Sequence, residues 1–198
     1  SRKSEELLRG LLELEVPEIY EGIIEIKNIA REAGSRSKVA VYSDDKNLDV
    51  KGACIGRNGM RIQTIIDELQ GEKIDIVLWN EDVKEFVKNA LNPAQVLSVE
   101  VVEEGEDNLK VAKVVVAENQ LSLAIGKKGQ NSRLAARLCG VKIDIHTKSD
   151  EVAESDEDEL EEGSAFQDTL DERENAEKNS DSFEVEESAF AGLGEDKE

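Results

Sequence analysis

Cysteine and histidine are scarce in this 198-residue chain: Cys54, Cys139 and the single His146. Two cysteines make no disulfide framework, and a reducing cytosol, hence a cytoplasmic location, is the simplest setting. With no CxxC spacing and no histidine cluster, a zinc site has too few ligands. Long apolar runs are missing as well. The longest span a few residues, as at 114–117, whereas a membrane span needs roughly 20. The opening Ser1-Arg2-Lys3-Ser4-Glu5 leads into no apolar stretch of a secretory signal. It carries no initiator methionine, so the chain is expected to be a piece of a longer protein. Catalytic signatures are lacking too. Lys127 sits inside a Gly-x-x-Gly, not behind the spacing of a phosphate-binding P-loop. Among 46 Asp and Glu side chains, carboxylate pairs arise by accident. No enzymatic activity, cofactor or metal is expected.

Positive charge is in deficit, with a net of -21. Taken whole, that repels phosphate and argues against nucleic acid. Its distribution reverses the argument. Residues 1–149 hold 25 acidic and 22 basic side chains, a net of -3, while residues 150–198 hold 21 acidic and 3 basic, a net of -18. The body is nearly neutral and the acidity belongs to the tail. That tail has scattered Phe166, Phe183 and Phe190, no sustained period, and too little apolar surface to offset its ordering entropy. It is expected to be disordered.

The body repeats itself. Ile55-Gly56-Arg57-Asn58-Gly59 recurs as Ile125-Gly126-Lys127-Lys128-Gly129, an offset of 70 residues. Gly71-Glu72-Lys73-Ile74-Asp75-Ile76 recurs as Gly140-Val141-Lys142-Ile143-Asp144-Ile145, an offset of 69. Two landmarks in one order at nearly one spacing mark two copies of a small unit. In the first copy, Leu7, Leu8, Leu11 and Leu12 stripe a helix over 4–15 that Pro17 ends. Strands are expected over 23–30 and 38–43 around a turn at Gly34-Ser35, then a short helix over 48–55. Ile62, Ile65, Ile66 and Leu69 line one face of a helix after the glycine loop, and 73–79 is a strand. The second copy predicts a helix from Val83 to Leu91, a hairpin of 96–102 and 110–117 around the polar loop 103–108, and a short helix over 118–125. A helix striped by Leu134, Ala135 and Leu138 and a strand over 141–147 complete it. Each copy reads α-β-β-α-α-β, an α+β class. The divisions expected are a linker helix over 1–16, a first domain over 17–79, a second over 80–148 and the tail over 149–198.

The chemistry lies in the two Gly-x-x-Gly loops. Glycine lets backbone approach a ligand and adopt positive φ. Each loop opens a helix, whose N-terminal N–H groups and partial positive charge suit phosphate. Arg57, Asn58, Lys127 and Lys128 supply side-chain donors between Gly56 and Gly59 and between Gly126 and Gly129. A lone GxxG is a common turn. Two of them, each after isoleucine and before a helix, a glycine and a Lys-Ile-Asp-Ile strand, match the KH module, whose loop clamps the backbone of about four nucleotides. Ile55, Ile74, Ile125 and Ile143 are candidates for an apolar groove under the bases, with core packing as the alternative. Arg61, Arg133 and Arg137 are candidates for backbone contact, with ordinary solvated helix positions as the alternative. Trp79 and Tyr42 either stack on a base or pack in a core or interface.

Longer segments carry a resemblance. Leu14-Glu15-Val16-Pro17-Glu18-Ile19, Ala30-Arg31-Glu32-Ala33-Gly34, Gly52-Ala53-Cys54-Ile55-Gly56 and the run from Gln120 to Asn131 with Arg133-Leu134-Ala135-Ala136-Arg137-Leu138 resemble the NusA family of bacterial transcription factors, over roughly residues 5–147. The resemblance implies two tandem type II KH domains that bind single-stranded nascent RNA in transcription elongation, pausing, termination and antitermination. It implies contact with RNA polymerase and other elongation factors through domains outside this chain, a monomer, and no membrane. The family's first loop has proline after its first glycine, where Arg57 stands here. The acidic tail is too irregular to assign to the acidic repeats of some members. The competing readings are a KH accessory region of an RNA-processing protein, which would need a catalytic domain, and a protein-interaction fragment whose glycine loops are plain turns.

Overall fold

The first helix starts where Ser4 Oγ accepts a hydrogen bond from the Leu7 N–H, and α1 runs Glu5–Glu15. The computed structural model describes residues 3–104 and 109–150. The expected tail is therefore, from 151 onward, outside the described residues, as are 105–108. Pro17 does more than end α1. It forces Val16 into an extended conformation (φ -116°, ψ 97°) and then opens a further turn, α2 (Pro17–Tyr20), at the position where a missing N–H costs nothing.

Two strands follow, β1 (Glu25–Glu32) and β2 (Arg36–Tyr42). They pair antiparallel from Glu25↔Tyr42 to Glu32↔Arg36, with an irregularity between Ile26 and Asn28. Both reach two residues closer to the turn than the sequence pattern suggests. The added residues, Arg31, Glu32, Arg36 and Ser37, are polar and break the apolar alternation on which strand assignment rests. Next come α3 (Val50–Ile55), capped by Asp49, α4 (Met60–Glu68) and β3 (Lys73–Leu78). Strand β3 lies parallel to β2 and forms the sheet edge, in the order β1-β2-β3.

The second copy has the same plan. Its elements are α5 (Val83–Ala90), β4 (Val96–Glu104), β5 (Leu109–Val116), α6 (Glu118–Ile125), α7 (Gln130–Cys139) and β6 (Lys142–Thr147). Strand β5 pairs antiparallel with β4 and parallel with β6. The order α-β-β-α-α-β is thus present twice, with α2 as an addition to the first copy. The one-residue slip between the repeats arises after α4. That helix leaves through two positive-φ residues, Gln70 and Gly71, whereas α7 leaves through Gly140 alone.

Each sheet covers its own helices. Leu8 and Leu12 of α1, Cys54 of α3 and Ile65 of α4 are fully buried against Ile29, Val39, Val41 and Ile76. The opposite face of the first sheet is not left to water. Ala30, Ala40 and Val77 belong to the second core, with Phe86, Val87 and Ala90 of α5 and Leu134, Ala135 and Leu138 of α7. Two alanines on adjacent strands leave room for helices to pack closely. Polar bonds ring this contact: Asn28 Nδ2 donates to the Leu138 carbonyl at 2.8 Å and Lys38 Nζ to the Asn92 carbonyl at 3.3 Å. The two copies are thereby joined through a continuous core.

Candidate nucleic-acid interface

The two glycine loops adopt one conformation. Gly56 has φ 79° and ψ 169°, Asn58 φ 55° and ψ 25°, and Gly59 φ 75° and ψ 13°. Gly126, Lys128 and Gly129 have φ/ψ of 78°/172°, 54°/29° and 71°/16°. In each loop the second glycine's N–H donates to the first glycine's carbonyl, at 3.0 and 3.1 Å. Arg57, at the position of the expected proline, does not alter the loop's shape. The first glycine is required by space as well as by φ. A Cβ on Gly56 would lie 2.9 Å from Arg61 Cβ, and one on Gly126 would lie 2.9 Å from the Asn131 backbone nitrogen.

Arg57, Asn58, Lys127 and Lys128 all project exposed from these loops. None of them joins an ion pair among the described residues. Helices α1, α3 and α5 have side-chain caps at their N-termini, but α4 and α7, which follow the loops, have none. The first amides of α4 and α7, at Met60 and Gln130, donate to the Arg57 and Lys127 carbonyls within the loop turn, and no side chain competes for the helix N-terminus beyond them.

The candidate arginines divide. Arg61 turns inward, donating from Nη1 to the Ala53 carbonyl at 2.8 Å and to Glu18 at 2.9 Å, and so ties α4 to α3 and α2. At the matching position of the second copy, buried Asn131 does the same through Nδ2, to the carbonyls of Ala124 and Leu91 at 3.0 Å. Asn131 is a positioning residue that the sequence reading missed, because its type differs from Arg61. Arg133 clasps Glu32 of the first copy, with Nε to Oε1 at 2.6 Å and Nη2 to Oε2 at 3.1 Å. Gln130 donates to the same carboxylate at 2.8 Å, and Arg137 stands 3.9 Å away. The hydrogen bonds from Arg133 and then Gln130 draw the Glu32 carboxyl down to about 2. Arg137, two turns further along α7, remains exposed.

Ile55 and Ile74 are half-buried and line one open groove along the edge strand β3, with Ile62 of α4. The far wall of this groove comes from the second copy, at Asn92 and Pro93. In the second copy Ile125 is exposed beside its loop, and Ile143 is half-buried against the second core. Trp79 packs in that core, with its ring 6.5 Å from Phe86 and edge-on to Tyr42 at 5.3 Å. Lys27 Nζ sits 5.1 and 5.0 Å over the Tyr42 and Trp79 rings, so these aromatics face a cation and a core. Cys54 and Cys139 are pushed up to about 11 and about 12 by burial. Among the described residues, His146 pairs only with Asp144, and no cluster of potential metal ligands forms. No helix among them is long and apolar enough to cross a membrane.

Comparison with known proteins meets this geometry. Residues 2–79 match the NusA-like first KH domain family and residues 83–153 the NusA-like second KH domain family. The transcription termination/antitermination protein NusA of Halalkalibacterium halodurans is 55% identical over 150 residues, covering 76% of this chain and 38% of that protein. Its Bacillus subtilis counterpart is also 55% identical over 150 residues, with 76% and 39% covered. The Thermus thermophilus protein is 55% identical over 157 residues, with 79% and 39% covered. The chain spans about two fifths of the length of these curated relatives. With both KH domains matched in order, each holding its glycine loop in the same conformation, the chain belongs to the NusA family and carries its tandem KH region.

Proposed function

We propose that this chain binds single-stranded RNA with both glycine loops, as the RNA-gripping part of a transcription factor acting in elongation, pausing, termination and antitermination. One observation carries the reading: two turns of matching backbone conformation, each presenting exposed donors at a helix N-terminus that no side chain caps. On this reading Gly56, Arg57, Asn58 and Gly59, and Gly126, Lys127, Lys128 and Gly129, hold phosphates. Arg137 adds backbone contact, Arg133 is shared with Glu32, and Arg61 positions the loop. Ile55, Ile74, Ile125 and Ile143 floor the grooves for bases. The role is binding, not catalysis. The setting is the cytoplasm, the chain acts as a monomer, and RNA polymerase and its other factors are reached through parts of the protein outside this chain. We take the domains to meet at Asn80.

The test reverses charge where the fold does not need it. Lys127→Asp with Lys128→Asp puts carboxylates against phosphate at two exposed positions. Binding of single-stranded RNA should fall at least tenfold with an unchanged circular dichroism spectrum. Unchanged affinity in a folded variant would remove the second loop from the interface. Because a short linkage joins the copies, affinity should also climb with RNA length beyond the about four nucleotides that one loop holds.

A further inference from the structure

The groove of the first copy has one built feature that the second copy lacks. In the first, Asp75 of β3 is gripped from two sides. Arg36 donates to it bidentately, Nε to Oδ2 at 2.8 Å and Nη2 to Oδ1 at 3.0 Å. Lys38 Nζ, fully buried, donates to Oδ2 at 3.0 Å and spans to the Asn92 carbonyl of the second domain. Asn92 and Pro93 form the groove's far wall, so the same lysine anchors both the wall and the carboxylate. The result is a guanidinium fixed at the lip of an apolar groove, with a quarter of its side chain in solvent. Its Nε/Nη2 edge is occupied by Asp75. Nη1 makes no hydrogen bond among the described residues, which leaves the Nη1/Nη2 edge as a pair of parallel donors.

The second domain supplies the control. Strand register pairs Lys113 with Asp144 as it pairs Lys38 with Asp75, but Val111 stands where Arg36 would be. The lysine and aspartate recur, and the arginine does not. In the second domain Lys113 is exposed and Asp144 pairs with His146 instead. The fixed guanidinium is therefore a feature of the first groove alone.

We propose that Arg36, held by Asp75, reads a base in the first groove and selects guanine. Two parallel N–H donors match the O6 and N7 acceptors of guanine, whereas adenine offers N7 beside an amino donor that repels one of them. The guanidinium is delivered pre-oriented, so little entropy is lost on contact. This rests on the reading of the glycine loops as RNA clamps and adds the base that the first groove takes.

The experiment walks a single guanosine, and separately a single adenosine, through an otherwise uridine oligoribonucleotide of about ten nucleotides, long enough for both clamps. With the full chain, guanosine at one position should bind about tenfold tighter than adenosine there, as expected for one bidentate pair. Replacing that guanosine by 7-deazaguanosine, which lacks N7, should abolish most of the gain without touching the protein. Arg36→Lys keeps the charge and loses the fork, and Arg36→Val copies the second domain. Either should bring the guanosine-to-adenosine ratio to about one. Arg36→Lys also guards against misfolding of the valine variant. Lys127→Asp with Lys128→Asp should lower affinity for every oligonucleotide and leave the ratio intact. A ratio near one in the unaltered chain, or one that survives Arg36→Lys, overturns the proposal while the clamps stand. Failure to bind any of the oligonucleotides overturns the RNA reading itself.

Discussion

In the first domain Arg31, Ser37 and Glu72 meet in a buried knot of charge; in the second, the strand registers put Val101, Ala112 and Val141 at the same three points. Glu72 accepts from Arg31 Nε at 2.8 Å and Nη2 at 2.9 Å, from Ser37 Oγ at 2.6 Å and from the Gly34 N–H at 2.9 Å. Burial pushes its carboxyl up, but these donors outweigh burial and hold it below the usual range. Arg31 also reaches the Ser4 carbonyl at the start of α1. One architecture therefore accepts either solution at this corner. The polar version ties the hairpin turn and the start of α1 to β3, and the apolar version closes the corner with smaller side chains, Val141 buried and Ala112 fully so.

The comparison breaks most sharply at Arg31. Arg31→Val alone leaves Glu72 buried without its partner and should cost about 3–5 kcal/mol in denaturant unfolding. The triple change Arg31→Val, Ser37→Ala and Glu72→Val copies the second domain. It should recover nearly all of that loss, or exceed the original stability by about 1 kcal/mol or more, because a well-packed apolar replacement avoids desolvating charge. A triple variant as unstable as the single one would show that the two corners are not interchangeable.

How much of this was legible beforehand depends on what kind of signal each feature leaves. The loops are written in glycine and cation, and their repetition at 70 residues announces them. The helices announce themselves by period, and 118–125 falls where the pattern puts it. The strand ends at Arg31, Glu32, Arg36 and Ser37 do not, since polar residues carry no mark of being buried. That Ala30, Ala40 and Val77 face another domain is not in the pattern either. Alternation says that a residue is on the other face of a strand, not what covers it. Arg36 and Asp75 left one readable trace, the aspartate recurring in both Lys-Ile-Asp-Ile strands, but only the fold shows which arginine holds it. Arg61 shows the reverse case. Its place after a loop suggested RNA, and its bonds to Glu18 and the Ala53 carbonyl make it a brace.

The glycine loops give a second comparison, of intermediate size. Gly56 and Gly126, near φ 79° and ψ 170°, lie in a region that is essentially glycine-only, where a side chain costs on the order of 1–3 kcal/mol. A Cβ at Gly126 also meets the Asn131 backbone, which cannot step aside, whereas at Gly56 it meets the Arg61 side chain. Gly59 and Gly129 are left-handed with no atom within 3.8 Å of a new Cβ, so alanine there costs roughly 1 kcal/mol. Thermal melts should rank the variants Gly126→Ala, then Gly56→Ala, then Gly59→Ala and Gly129→Ala together. A Gly129→Ala variant as damaged as Gly126→Ala would mean that conformation alone, and not the close approach, sets the cost.

The smallest effect tests how the domains are held together. Glu32 of β1 is the one carboxylate that Arg133, Gln130 and Arg137 of α7 all approach, and it has no like-placed partner in the second domain, where Val102 occupies the position. Its folded pKa of about 2 lies below the ordinary 4.5. A depressed carboxylate contributes stability that is fully present above about pH 4.5 and is lost as pH falls toward 2, because the unfolded chain takes up the proton first. Glu72 and Asp75 are held low as well and act in the same direction. The Glu32 share must therefore be isolated by substitution. Glu32→Gln keeps the shape and removes the charge, and Arg133 is nearly half exposed, so solvent limits the loss to about 1 kcal/mol at neutral pH. The single Trp79 lies in the core that joins the domains, and its fluorescence reports their docking. Melts followed at pH 6 and pH 3 should show the gap between the unaltered chain and Glu32→Gln narrowing as the pH falls, since at pH 3 the unfolded chain already protonates Glu32 while the folded carboxylate is still ionised. Two melting temperatures that stay equally far apart at both values would show that Glu32 acts by shape, and that the apolar contact of Ala30, Ala40 and Val77 with α5 and α7 holds the domains without electrostatic help.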